Sequence, residues 1–164
     1  MNTIERINNR WIYSESSKSG LLSRRTHCDV GSVQHCCNGP SYWRVDLGSM
    51  DRKERLLAHR AIWMIHNGDI PPGMTIDHIN GDGLDNRISN LRLATRSQQS
   101  MNRRKPQNGK GLPKGVLEKA GKYVAYIKAD GKRYYLGAYS SAENAHDAYK
   151  MKARELHGLF CNED

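Results

Sequence analysis

Between the Pro71-Pro72 break and Asn102 the chain has room for two short extended runs and one helix, and for little else. Met74 to Ile79 is one extended run, Ile88 to Ala94 is another, and Asn80-Gly81-Asp82-Gly83 between them is a turn. Thr95 followed by Gln98 matches a capping box, so a helix is expected to begin near Arg96 and to carry Gln99 and Asn102 on one face at i, i+3. A strand, a turn, a second strand and a helix make a ββα unit. It gathers Asp77, His78, Asn90, Gln99 and Asn102, polar residues at spacings that can fold back onto one point.

Those residue types suit one chemistry. Hydrolysing a phosphodiester at neutral pH needs an activated water, relief of negative charge in the transition state and help for the leaving 3' oxygen. A neutral imidazole serves the first need, and a cation held by a carboxylate serves the other two. Asp77 and His78 are neighbours, so on a strand they point to opposite faces, and a distortion or the strand end must let both reach a substrate.

The run LLAHRAIWMIHNGDIPPGMTIDHINGDGLDNRISNLRLATRSQQSMNR resembles the HNH nuclease family, and closely its phage and intron-encoded members. The resemblance is carried by His59-Arg60 at the helix start, the Asp77-His78 pair, the Asn-Gly-Asp turn, the Asn90-Leu91-Arg92 segment and a helix ending in Asn102-Arg103. It implies that His78 is the general base that activates water. Asp77 would ligate a single divalent metal ion, Mg2+ or Mn2+, and Asn90 would orient His78 by hydrogen bonding. The last ligand in such proteins is usually His or Asn on the helix; the matching position here is Gln99, whose amide oxygen sits on a longer stem, with Asn102 as the alternative. That departure touches metal affinity and turnover, not the fold.

Other readings of the same stretch are weaker. Asp82 and Asp85-Asn86 are expected to close turns through local hydrogen bonds. An EF-hand register would require a carboxylate where Leu84 stands. His59, opening an apolar helix, reads as a structural histidine, with a phosphate contact as the alternative.

Upstream, residues 1–55 are expected to form a β-rich platform of small strands such as Tyr42 to Leu47, cut by Asn38-Gly39-Pro40 and Gly48-Ser49. Leu56 to Asn67 reads as a helix closed by Asn67-Gly68. His27-Cys28 and His35-Cys36-Cys37 match no common zinc spacing, so structural zinc is not expected, and the four cysteines are expected to be reduced thiols. No run of 18 apolar residues and no basic-then-apolar leader is present, which points to a protein of the cytoplasm, here that of a bacterial host, without a membrane partner.

The net charge of +9 is not evenly spread: residues 103–135 carry 10 Lys or Arg against 2 Asp or Glu. Such a local field attracts a polyanion. Residues 103–113 read as a basic linker, and Arg103 and Arg104 are candidate backbone contacts for a nucleic acid.

After the linker, Tyr123 to Ala129 and Lys132 to Tyr139 alternate around Asp130-Gly131, a two-residue hairpin signal, with Lys114 to Lys119 as an outer strand. Lys122, Tyr126, Lys128, Arg133 and Tyr135 fall on one face; Tyr123, Ala125, Ile127, Tyr134 and Leu136 fall on the other. A helix follows, capped by Ser140 and Glu143, with Ala142, Ala145, Ala148, Tyr149 and Leu156 inward and Gly158 as the stop. The stretches Lys114-Gly115-Val116 and Gly121 to Gly158 resemble the ethylene-response-factor (Apetala-type) DNA-binding domains. The resemblance implies that the sheet enters a DNA groove through Lys119, Tyr126, Lys128, Arg133 and Tyr135. Lys and Tyr stand where many such domains have Arg and Trp, which implies looser base readout and more phosphate contact.

The fold expected is α+β: a ββα-metal nuclease domain of the HNH, or His-Me finger, type over residues 1–102 (platform 1–55, core 56–102), the linker 103–113, and a three-stranded antiparallel sheet packed on one helix over 114–164. The function expected is that of a metal-dependent DNA endonuclease, a hydrolase of a bacteriophage or mobile element that nicks double-stranded DNA or homes to a site, acting as a monomer or a transient dimer. The competing reading is a non-cleaving DNA-binding regulator with a degenerate HNH fold, for which Gln99 is the one sequence argument.

Overall fold

The computed structural model describes residues 1–36, 39–48, 54–102, 111–129 and 131–161. It divides into two compact units, Met1–Thr95 and Arg96–Asp164. The division falls after Thr95 rather than after Asn102. Among the described residues no helix is long and apolar enough to cross a membrane. Cys37 and the linker residues 103–110, with Arg103 and Arg104, lie outside the described residues.

The first unit opens with a helix where only strands were expected. Helix α1 (Thr3–Arg10) starts at a capping box: Asn2 Oδ1 accepts from the Glu5 amide at 2.8 Å, and Glu5 Oε2 accepts from the Asn2 amide at 2.9 Å. Its apolar side is only Ile4 and Ile7, of which Ile7 is fully buried. Strands β1 (Trp11–Tyr13) and β2 (Leu21–Ser23) form an antiparallel hairpin, and β3 (Ser32–Gln34), β4 (Tyr42–Asp46) and β5 (Arg55–Leu57) form a three-stranded antiparallel sheet in that order.

Helix α2 (Ala58–Asn67) follows directly. Leu56 and Leu57, expected as its first turn, belong to β5 instead, because Leu56 pairs with Val45 and Leu57 with Arg44. The helix buries Ala58, Ala61, Ile62 and Met64 in one cluster with Ile7, Trp11, Leu21, Val45, Leu47, Ile76 and Leu91. Each large aliphatic side chain there contributes about 1.5–3 kcal/mol of hydrophobic stabilisation, which ties α1, the hairpin and the three-stranded sheet to one helix.

Strands β6 (Met74–His78) and β7 (Leu91–Thr95) complete the unit as an antiparallel pair, with Asp77 opposite Arg92 and His78 opposite Leu91. The second run is shorter than expected. Ile88–Asn90 is a 3-10 turn in which the Asn90 amide donates to the Arg87 carbonyl at 2.9 Å.

In the second unit, helix α3 (Arg96–Met101) precedes a three-stranded antiparallel sheet of β8 (Val116–Lys119), β9 (Lys122–Ala129) and β10 (Lys132–Tyr139), with β9 central. Ala129 pairs with Lys132, so the hairpin turn has two residues; Asp130 lies outside the described residues. Helix α4 (Ala142–His157) covers one face, burying Ala145, Tyr149 and Ala153 against Val116, Ala125 and Ile127. Its cap is Ser141, whose Oγ accepts from the Asn144 amide at 3.2 Å, and not the expected Ser140–Glu143 box. The buried stripe at every fourth residue, Ala145, Tyr149, Ala153 and His157, replaces part of the expected one, leaving Ala142 and Ala148 half-buried. Tyr134 stays in register opposite the buried Ile127 but is 38% exposed, whereas Leu136 packs on the core, and a bulge lies between Tyr135 and Gly137.

Candidate active site

The polar cluster of the first unit is built on the end of β6. Asp77 and His78 are its last two residues, and each is only 5% exposed. As strand neighbours they meet different surroundings. Asp77 faces β7: Arg92 Nε and Nη2 both lie 2.9 Å from its Oδ2. His78 faces β4 and α2: its ring lies edge-on to that of His59, with centroids 4.9 Å apart at 85°, and the Tyr42 ring is 5.9 Å away.

Burial dominates the electrostatics of both imidazoles. It pushes His78 below the ordinary histidine value, with Asn86 and the carboxylates of Asp77, Asp82 and Asp85 opposing the shift. His59 goes down to about 3, through burial first and then the neighbouring His78 and Arg60. Both rings are therefore neutral at pH 7, the state that can accept a proton. The buried His59 Nδ1 has no hydrogen-bond partner among the described residues.

His78 Nε2 lies 3.1 Å from Asn86 Oδ1, and Asn86 Nδ2 donates to the Ser19 carbonyl at 2.9 Å. Since the amide nitrogen is committed to a carbonyl, the amide oxygen faces His78 and accepts from its Nε2–H. Asn90, expected to orient His78, does something else. Its Oδ1 accepts from the Asn80 amide at 3.0 Å, and its Nδ2 donates to Asn80 Oδ1 at 3.0 Å and to the Asp85 carbonyl at 2.8 Å. It clamps the turn between the two strands.

The rest of the turn closes on itself. Asn80 Oδ1 accepts from the Asp82 amide, Asp82 Oδ1 from the Leu84 amide, and Asp85 takes a two-pronged pair from Arg87 at 2.9 and 2.7 Å. The Arg87 hydrogen bond holds the Asp85 carboxyl down at about 2. Gly83 lets the turn approach β4: a Cβ there would stand 2.7 Å from the Tyr42 ring. Asp82 and Asp85 are thus turn-closing residues, while Asn86, grouped with them from sequence, reaches the imidazole. Two asparagines four residues apart, of which one closes the turn, were the available signal.

Gln99 and Asn102 belong to the second unit: Gln99 is half-buried on α3, and Asn102 is buried just after it, its amide donating to the Gln98 carbonyl at 3.1 Å. Among the described residues no group of three or more His, Cys, Asp or Glu side chains could hold a metal ion. Asp77 offers the end of β6 a carboxylate, a hard-oxygen donor of the kind that suits a hard divalent cation.

On the second unit's sheet, the face opposite α4 is basic and aromatic. Cross-strand pairing sets Lys119 opposite Lys122, Tyr126 opposite Tyr135 and Lys128 opposite Arg133. Arg133 Cζ stands 4.0 Å from the centroid of Tyr126, whose ring meets Tyr135 at 5.5 Å, and Tyr135 is 61% exposed. Half-exposed Leu117 was not anticipated on this side of the sheet, where it pairs with Val124.

Residues 56–101 match the HNH endonuclease family model. An uncharacterised HNH endonuclease, L560 of Acanthamoeba polyphaga mimivirus, is 36% identical over 116 residues, spanning 70% of this chain and 57% of that protein. Protein 3.8 of Escherichia phage T7 is 33% identical over 104 residues, spanning 62% of this chain and 85% of that protein. The chain thus spans little more than half the length of the mimivirus relative and most of the phage one. A solved structure of DNA binding and cleavage by the HNH homing endonuclease I-HmuI aligns with 89% of this chain and 80% of its own at 20% identity and a TM-score of 0.45.

Proposed function

We propose that the chain, whose residues 56–101 match the HNH endonuclease family model, is a metal-dependent endonuclease of a phage or mobile element that hydrolyses one strand of double-stranded DNA. The observation that carries this reading is the pairing, at the end of β6, of a buried carboxylate, Asp77, with a buried neutral imidazole, His78.

His78 removes the proton of the attacking water as its oxygen closes on phosphorus, and the bond to the 3' oxygen breaks, that oxygen taking a proton from solvent, so that 5'-phosphate and 3'-hydroxyl ends remain. The low, neutral state of His78 is what lets it take that proton. Asp77 would hold a divalent ion, with Gln99 or Asn102 as the candidate further ligand. The ion, when bound, neutralises charge on the phosphate and on the leaving oxygen. Asn90 keeps the turn between the strands closed so that Asp77 and His78 stay at the strand end.

The second unit acts as the reader. Its basic sheet face, with Lys119, Tyr126, Lys128, Arg133 and Tyr135, suits a DNA groove and its phosphates in the manner of the ethylene-response-factor domains, and Arg103 and Arg104 add backbone contacts. One active site cuts one strand, so a monomer nicks.

Relaxation of supercoiled plasmid tests the activity. Nicked circles in Mg2+ or Mn2+ and none in chelator support the reading. No product in either ion, with duplex DNA still bound, favours the regulator, for which Gln99 at the usual His or Asn position is the supporting residue.

A further inference from the structure

Asn86 sits in a loop of turn-closing residues and closes no turn. Asn80, Asp82, Asp85 and Asn90 each bond a backbone or side-chain group of the loop itself. Asn86 is 4% exposed, and its amide spans instead from His78 Nε2 at 3.1 Å to the Ser19 carbonyl at 2.9 Å, a residue 67 positions earlier.

We propose that Asn86 is the positioning residue of the general base, and that the β1–β2 hairpin, through Ser19, sets which nitrogen of His78 carries the proton. This rests on the reading of His78 as the base. The Ser19 carbonyl can only accept, so it takes the amide nitrogen and turns the amide oxygen toward the imidazole. That oxygen can only accept as well, so Nε2 is protonated and Nδ1 holds the lone pair that receives the water proton. A half-turn of the ring would set Cε1 where Nε2 stands and lose the bond. His59 and Tyr42 constrain the ring plane; Asn86 selects the rotamer and the tautomer within it.

The anchor is itself held. Ser19 is fully buried, and Leu21, two residues on, is fully buried in the core around α2. Ser17 Oγ donates to the Leu21 carbonyl at 2.8 Å. Gly20 has φ +84°, and a Cβ there would lie 2.6 Å from Ile62 Cδ1 and 3.3 Å from Asn86 Cβ. A side chain at Gly20 would push the hairpin off both the helix and the asparagine. The first 30 residues thereby take part in the chemistry.

Long-range proton–nitrogen correlation on full-length protein labelled with 15N-histidine tests this without turnover, with His78→Gln assigning the signal. We expect the Nε2–H tautomer in wild type. Asn86→Leu should give a tautomer mixture and a kcat lowered about 10- to 100-fold, with Mn2+ affinity and duplex affinity unchanged. Asn86→Asp keeps an acceptor toward Nε2 but loses the donor to the Ser19 carbonyl, so it should keep the tautomer while leaving kcat below wild type. An Nδ1–H tautomer in wild type, or Asn86→Leu with unaltered tautomer and rate, overturns the inference while leaving the endonuclease reading intact. Nicking by His78→Gln at the wild-type rate removes His78 as the base, and the catalytic part of this inference with it.

Discussion

Asp77 and Arg92 stand directly opposite each other across β6 and β7, and both Nε and Nη2 of the guanidinium lie 2.9 Å from a single carboxylate oxygen. A side-on attachment of this kind sets two guanidinium nitrogens against one carboxylate oxygen, and it supplies the positive charge that a buried carboxylate needs.

Arg92→Ala leaves that carboxylate without its cation. We expect a loss of about 3 kcal/mol in urea unfolding, the scale for breaking one side of a buried pair, and a larger gain in stability on adding Mg2+ than wild type shows. Wild-type stability in Arg92→Ala would mean that the pair does not hold the strand end.

His59 gives the fold a pH dependence of definite sign. Its folded value, about 3, lies below the unfolded value of 6.5, so the unfolded chain binds the extra proton first. Stability is full above about pH 6.5 and falls as pH drops toward 3, by up to about 1.4 kcal/mol per pH unit for one proton. His59→Phe should flatten the slope between pH 6 and pH 4 in denaturant titrations; an unchanged slope would count against the buried neutral ring.

Asn90 and Asn86 should separate cleanly. Asn90→Ala removes three hydrogen bonds that close the turn, with an expected cost of about 1–3 kcal/mol and faster proteolysis between residues 79 and 90. The His78 tautomer should stay as in wild type. A tautomer change in Asn90→Ala would return to Asn90 the orienting role that its sequence position suggested.

Much of this architecture is legible in the sequence, and the exceptions share a cause. The hairpin of β9 and β10 announces itself by alternation around Asp130-Gly131, and the Asp77-His78 strand by its break, run and turn. Helix α1 is too short and too polar for periodicity to reveal, although Asn2 and Glu5 spell its cap. Ile88 to Asn90 looks extended by composition, but Asn90's bonds to Asn80 and Asp85 pull it into a 3-10 turn. The bulge at Tyr135–Gly137 and the reach of Asn86 to His78 depend on partners distant in sequence, Ser19 above all. A pattern read along the chain cannot register those partners.

For the basic sheet face, Arg133→Ala removes the guanidinium that stacks on Tyr126. Duplex affinity should fall and the slope of log affinity against log salt should shrink by about 1, while plasmid nicking at saturating protein persists. Unchanged affinity and slope would place DNA recognition elsewhere.

The most direct measurement of the endonuclease reading is plasmid nicking in Mg2+ by wild type and by His78→Ala side by side, with duplex binding measured on both. Nicking by wild type alone, with equal binding, is the expected result. Metal-dependent nicking by His78→Ala at the wild-type rate would contradict it.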